Sequence, residues 1–187
     1  MPRESVKSGV EHAFSRTRGD DRSLSELAGQ QLGVVSREQL LTAGWSRDEI
    51  NWRIKAGRLH QVHAGVYSLT PRQLLSRQGW WMAAVLASGP DALLSHNAAA
   101  ALWGVRGYSG GAVHITVPHK STSTKRIRRH FPVVPADEQA VEEGIPLTSV
   151  HRSALHAAGF SVVHLTWAQL DVEPEEVASD LRRMLQG

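Results

Sequence analysis

Cysteine is absent from the 187-residue chain. That excludes a disulfide scaffold, thiolate zinc sites and a cysteine nucleophile. Long apolar runs are missing too. The longest, Trp80 to Ala87, has eight residues, against the roughly 20 that a helix needs to cross hydrocarbon. No apolar segment followed by a cleavage site stands near the start, so no signal peptide is read, and the expectation is a cytoplasmic protein with no membrane partner. Catalytic signatures are lacking as well: there is no G-x-S-x-G, HExxH, G-x-G-x-x-G or phosphate loop ending in G-K-S/T. These would frame a hydrolase nucleophile, a zinc protease or a nucleotide site. The ten histidines show no ligand spacing, and Asp171, Glu173, Glu175, Glu176 and Asp180 flank or occupy a helix rather than form a metal-holding cluster. No catalytic residue, metal or cofactor is expected.

What is present is enough apolar sequence, 41%, to bury a core. The net charge of +3 is segregated. Residues 71–130 carry eight Lys/Arg against one acid, whereas residues 131–187 carry three against nine. A basic middle beside an acidic end points to a polyanion-facing part joined to something else.

Punctuation divides the chain. Residues 1–22 are polar and aperiodic and read as a flexible arm. Ser23 and Glu26 form a capping box before Leu24, Leu27 and Ala28, and Gly33 closes that helix. Val34-Val35 leads into a second box, Ser36 with Gln39, and a third follows at Ser46 with Glu49 after the Gly44-Trp45 break. Ile50 and Ile54 then mark a buried side up to Gly57. Arg58–Val62 alternates, His63-Ala64-Gly65 can turn and Val66–Leu69 returns before Pro71. Three helices and a hairpin make residues 23–71 a winged helix-turn-helix.

Residues 72–148 read as a small α+β domain. It has a helix over Gln73–Ser88, a short helix after Ser95, a strand Val113–Val117 and a second strand from His130. The basic stretch between those strands would be a hairpin loop. In residues 149–187 a strand at 160–165 and a helix at 174–185 are expected, with Pro174 early in the helix and Arg182-Arg183 at its end. The overall class is mixed α/β.

In the third helix Arg47, Asn51 and Lys55 lie away from the isoleucine side. Arg matches guanine and Asn matches adenine in the major groove, while Lys55, Arg58, His60 and His63 suit phosphates. Lys120, Lys125, Arg126, Arg128 and Arg129 add a second basic set. Trp52, nearly opposite Ile50, is either a nucleic-acid contact or a protein interface.

Residues 27–69, LAGQQLGVVSREQLLTAGWSRDEINWRIKAGRLHQVHAGVYSL, resemble the N-terminal winged-helix domain of AbiEi-type antitoxins and related transcriptional regulators. The most specific words are GVVSREQL, AGRLHQVHAGVY, LSHNAAAALWGV and VHITVP, with EGIPLTS extending the motif order to about residue 148. The resemblance implies a cytoplasmic bacterial regulator that binds double-stranded DNA and represses its own operon. It also implies, in antitoxin members, a nucleotidyltransferase-like toxin as partner, and homodimerisation is expected from how short recognition helices gain specificity. Residues 154–185 resemble the closing strand and helix of a very-short-patch-repair-like endonuclease domain. The acidic core of that domain has no counterpart here, so a shortened, non-catalytic remnant is expected. A protein-interaction module, including an antitoxin with little DNA binding, and a metal-dependent nuclease are the alternatives.

Overall fold

The computed structural model describes residues 20–160, together with residues 175, 177–179 and 182. Asp20, extended, accepts the Ser23 N–H and caps α1 (Asp21–Gln30). The helix thus starts before the predicted Ser23 box: the Asp20 carboxylate caps the Ser23 N–H and so places Ser23 inside the first turn, and Glu26 pairs with Arg22 one turn back. The other two boxes form as expected. Ser36 and Gln39 open α2 (Arg37–Thr42), and Ser46 and Glu49 open α3 (Arg47–Lys55), with both reciprocal hydrogen bonds present in each.

Val34–Ser36 is a strand, β1, rather than a mere link. It pairs with β3 (Val66–Ser68), which also pairs with β2 (His60–His63), all antiparallel in the order β1-β3-β2. The helix-and-hairpin arrangement of this N-terminal lobe is consistent with a winged-helix-like domain.

Period-two alternation gives this small sheet two buried faces. Val35 and Tyr67 pack with Leu24, Leu40, Trp45, Ile50 and Leu59 under the helices. Val34, Val62 and Val66 point the other way, into a core shared with Leu75, Trp81, Met82 and Val85. The wing sheet is therefore the wall between two lobes. Gly79 makes part of that wall possible, since a Cβ there would stand 2.6 Å from Leu75 and 3.0 Å from the Leu32 carbonyl.

The predicted helix from Gln73 is divided. A single 3-10 turn, Arg72–Leu74, precedes the buried Leu75, and Ser76 then caps α4 (Arg77–Leu86) through the Gly79 N–H. After α4 come β4 (Leu93–Leu94), α5 (His96–Leu102), β5 (Val113–Thr116), β6 (Ile127–His130), β7 (Gln139–Glu142), β8 (Ile145–Thr148) and α6 (Val150–Ala157). The five strands form one sheet in the order β6-β5-β4-β8-β7.

β5 and β6 run parallel, with Val113 opposite Ile127 and Thr116 opposite His130. The expected basic hairpin is thus a crossover connection, residues 117–126, that carries the chain back to the start of the sheet. β4, β7 and β8 had no reading in the sequence. β7 and β8 form a hairpin turned by Glu143 and Gly144, both at positive φ.

Residues 149–153, where the expected remnant segment begins, run on from β8 into α6 as continuous structure. Ser149 caps α6 through the Arg152 N–H, α6 packs along α5, and Thr148 and Ser153 share a buried hydroxyl hydrogen bond of 2.8 Å. Of the predicted strand at 160–165, Phe160 is exposed and in no strand, and the rest lies outside the described residues. Of the predicted final helix, residues 175, 177–179 and 182 are helical. An endonuclease-like layer has no support among the described residues. No helix among them is long and apolar enough to cross a membrane.

Candidate functional site

Ile50 is wholly buried, and its burial decides which side of α3 is left over. Arg47, Asn51 and Lys55, spaced four residues apart, are all exposed and form one stripe. Arg37 of α2 reaches this stripe, donating to Asn51 Oδ1 at 3.3 Å and to the Tyr67 hydroxyl at 3.0 Å. It is a member of the surface that sequence reasoning missed. No periodicity marks it, because it belongs to a different helix.

Trp52 stands beside the stripe, 53% exposed. Its ring has the Arg58 guanidinium at 5.3 Å and the Arg53 guanidinium at 5.8 Å, and Arg53 also lies 3.8 Å from the Trp45 ring centre. Cation–π contact holds the indole in place while leaving much of it in solvent. Arg58 is exposed and His60 half-buried.

His63 is not a free wing residue. A β-bulge between Gln61 and His63 sets His63 opposite Val66, on the side of the sheet that meets α4. There it packs edge-on to Trp80 with ring centres 6.0 Å apart. Bulges re-aim side chains in this way, and simple alternation could not foresee it. Burial first, then the charges of Arg126, Arg72 and Arg129, push the His63 pKa down to about 4. The unfolded chain therefore takes up a proton near the ordinary histidine value of 6.5 that the native protein refuses. This lowers stability as pH falls from there toward about 4. The slope is at most about 1.4 kcal/mol per pH unit, less because water still reaches part of the ring. Thermal melts at pH 7 and pH 5 should show a lower Tm at the acid value, and His63→Phe should narrow the difference. An unchanged difference would contradict this account.

The second basic set separates into two kinds. Lys120, Lys125, Arg126 and Arg128 are exposed, and Arg126 lies 5.7 Å over the Trp80 ring. Arg72 stands equally far from the same ring. Together with His63, Trp81 and Tyr108, they line an open cleft of about 800 Å³ between the wing and the second lobe. Arg129 is instead committed internally. It donates to Ser88 Oγ at 3.2 Å, to the Ala87 carbonyl at 3.0 Å and to the Thr122 carbonyl. A guanidinium at the end of α4 satisfies carbonyls that the helix leaves open. Arg129→Ala should cost about 1–3 kcal/mol in urea unfolding. Lysine, lacking the planar fork, should not restore it; a loss below measurement error would remove the assignment.

The polar stripe, the reciprocal caps and the three-stranded wall all fall in one segment. Residues 22–70 match the family described as "Transcriptional regulator, AbiEi antitoxin". No curated protein matches the chain. The AbiEi-matching segment contains Arg37, Arg47, Asn51, Trp52, Lys55 and Arg58, and it ends before the second lobe begins.

Outside that segment the structure gathers a site that the sequence did not reveal. His96, His114 and His130 each offer a ring nitrogen, and the three nitrogens lie within 4.8 Å of one another. His114 Nδ1 is 3.0 Å from His130 Nε2, and His156 Nδ1 is 2.9 Å from His96 Nε2. The rings of His96 and His130 stack at 4.1 Å. Burial is the first cause lowering the pKa of all four, to about 2 for His96 and about 4 for His130. The expectation of no convergent histidines is thus corrected. The three ligand candidates come from α5, β5 and β6, and only the parallel pairing of those strands brings His114 and His130 to one face.

Proposed function

We propose that this chain is a DNA-binding transcriptional regulator of antitoxin type that acts on its own promoter. The observation that carries the reading is the uncovered polar side of α3, where Arg47, Asn51 and Lys55 are all exposed and, among the described residues, only the Arg37 guanidinium hydrogen-bonds the Asn51 side chain. An α-helix fits the major groove, and Arg and Asn are the side chains that read guanine and adenine edges there. Arg58, His60, Lys120, Lys125, Arg126 and Arg128 take the phosphates, with Arg72 beside them. Phosphate contacts set register and supply most of the salt-dependent affinity. His63 and Arg129 play no part in contact, since each is used inside the protein. Two copies on a pseudo-palindromic site would double the short reading surface.

The test is binding of the full chain to DNA upstream of its own gene, followed by fluorescence anisotropy over a range of salt. A steep fall of log K with log salt, of about 0.9 per phosphate contacted, with preference over scrambled DNA, is expected. Absence of sequence preference from a well-folded protein defeats the reading.

Trp52 favours a second use. A half-exposed indole flanked by arginines is the composition of a protein-interface anchor, and an antitoxin-type chain has a nucleotidyltransferase-like toxin as its natural occupant. Co-purification with a neighbouring toxin that is lost in Trp52→Ala, with DNA binding retained, assigns Trp52 to that partner.

A further inference from the structure

The geometry points to a transition-metal site in the second lobe, with His96, His114 and His130 as ligands and zinc as the leading ion. It stands independently of the α3 reading, because every residue in it lies outside the AbiEi-matching segment.

Three observations carry it. The first is convergence from separate elements: His96 opens α5, His114 lies in β5 and His130 ends β6, yet their ligand atoms fall within 4.8 Å. With zinc–nitrogen bonds of about 2.0–2.1 Å, tetrahedral ligands stand roughly 3.3 Å apart. The 3.0 Å between His114 and His130 needs a small opening, and the spread of up to 4.8 Å across the cluster must close by about 1.5 Å to reach the tetrahedral spacing.

The second is the donor chemistry. Three imidazoles suit zinc, cobalt, nickel or copper, whereas magnesium and calcium require oxygen. Imidazole binds metal through a ring nitrogen in its neutral form, and each of the three histidines presents one such nitrogen to the cluster.

The third is what the cluster costs without a use. His96 is held at a φ of +55°, in the left-handed region that a residue with a Cβ seldom adopts. His156 Nε2 is buried with no hydrogen-bond partner. Backbone strain at a ligand residue is what a functional site leaves visible, and the unpaired His156 nitrogen lies on the residue that supports His96. His156, hydrogen-bonded to His96, serves as a positioning residue that orients the ligand ring.

The experiment uses the full chain stripped with EDTA and then titrated with Zn²⁺, Co²⁺ or Mg²⁺. One zinc per chain by calorimetry and elemental analysis is expected. At a hundredfold excess over Kd, Tm should rise by about 5–10 °C, with no response to magnesium. Co²⁺ should give the intense visible bands of a four-coordinate site. His114→Gln and His130→Gln should each abolish the cobalt bands, His156→Gln should weaken zinc binding by about 10–100-fold, and His119→Gln and His151→Gln should leave binding unchanged. If the ligand variants misfold, the wild-type cobalt spectrum still decides. Sub-stoichiometric zinc, absent cobalt bands, or binding lost only with His119 or His151 overturns the proposal.

Discussion

Arg152→Ala is expected to cost about 3–5 kcal/mol of stability. Arg152 is 1% exposed and forms an ion pair with Glu138. The carboxylate belongs to the 3-10 turn Ala136–Glu138, while the arginine sits in the first turn of α6. The pair therefore fastens a connecting segment to the helix that covers α5. The Glu138 carbonyl adds a second tie by accepting the Ser149 N–H at 2.8 Å. Truncating Arg152, the largest fully buried side chain among the described residues, opens a cavity and takes a cation from a carboxylate placed to meet it. Urea unfolding of Arg152→Ala beside wild type measures the loss. Arg152→Lys should recover only part of it, since a point charge cannot reproduce the planar fork. The double change Arg152→Met with Glu138→Leu should be milder than Arg152→Ala alone, because an apolar pair leaves neither charge behind. A loss of less than about 1 kcal/mol for Arg152→Ala would show that the pair is only a surface contact.

Arg47→Ala and Asn51→Ala should each weaken binding to the cognate DNA by about 5–150-fold, equivalent to 1–3 kcal/mol per base-edge contact. Discrimination at the contacted base should relax as well. Folding should be little affected, since both side chains are exposed and neither contributes to the core. Lys55→Ala should act differently, lowering affinity almost equally for all sequences and reducing the salt slope by about one unit. Arg37→Ala tests the tether. Arg37 occupies one lone pair of Asn51 Oδ1 and leaves the other, with both amide hydrogens, for a base. Its removal should reduce selectivity at the base read by Asn51 while leaving selectivity at the Arg47 position intact. Unchanged affinity and selectivity in the Arg47→Ala, Asn51→Ala double variant would place DNA contact elsewhere.

Local chemistry was readable where neighbours in sequence are also partners in space. The Ser36–Gln39 and Ser46–Glu49 boxes each span three residues, and the hairpin at Ala64-Gly65 closes strands only a few residues apart, so these elements stood in the sequence. So did the exposure of Arg47, Asn51, Lys55 and Trp52, which follows once Ile50 is taken inside. The β1 strand was less legible, since Val34-Val35 reads as the lead-in to the second capping box until β3 is known to lie beside it. His63 was misplaced because one extra residue in a strand reverses the side of everything after it.

The sequence by itself determined α2 and α3, their reciprocal caps and the polar side of α3, because each depends on interactions within one or two turns of chain. Tertiary structure alone decided that β5 and β6 are parallel, that Arg129 and Arg152 work inside the protein, and that His96, His114 and His130 meet. Those outcomes rest on contacts between residues 14 to 42 positions apart, whose pairing depends on the order of strands in the sheet rather than on any local spacing.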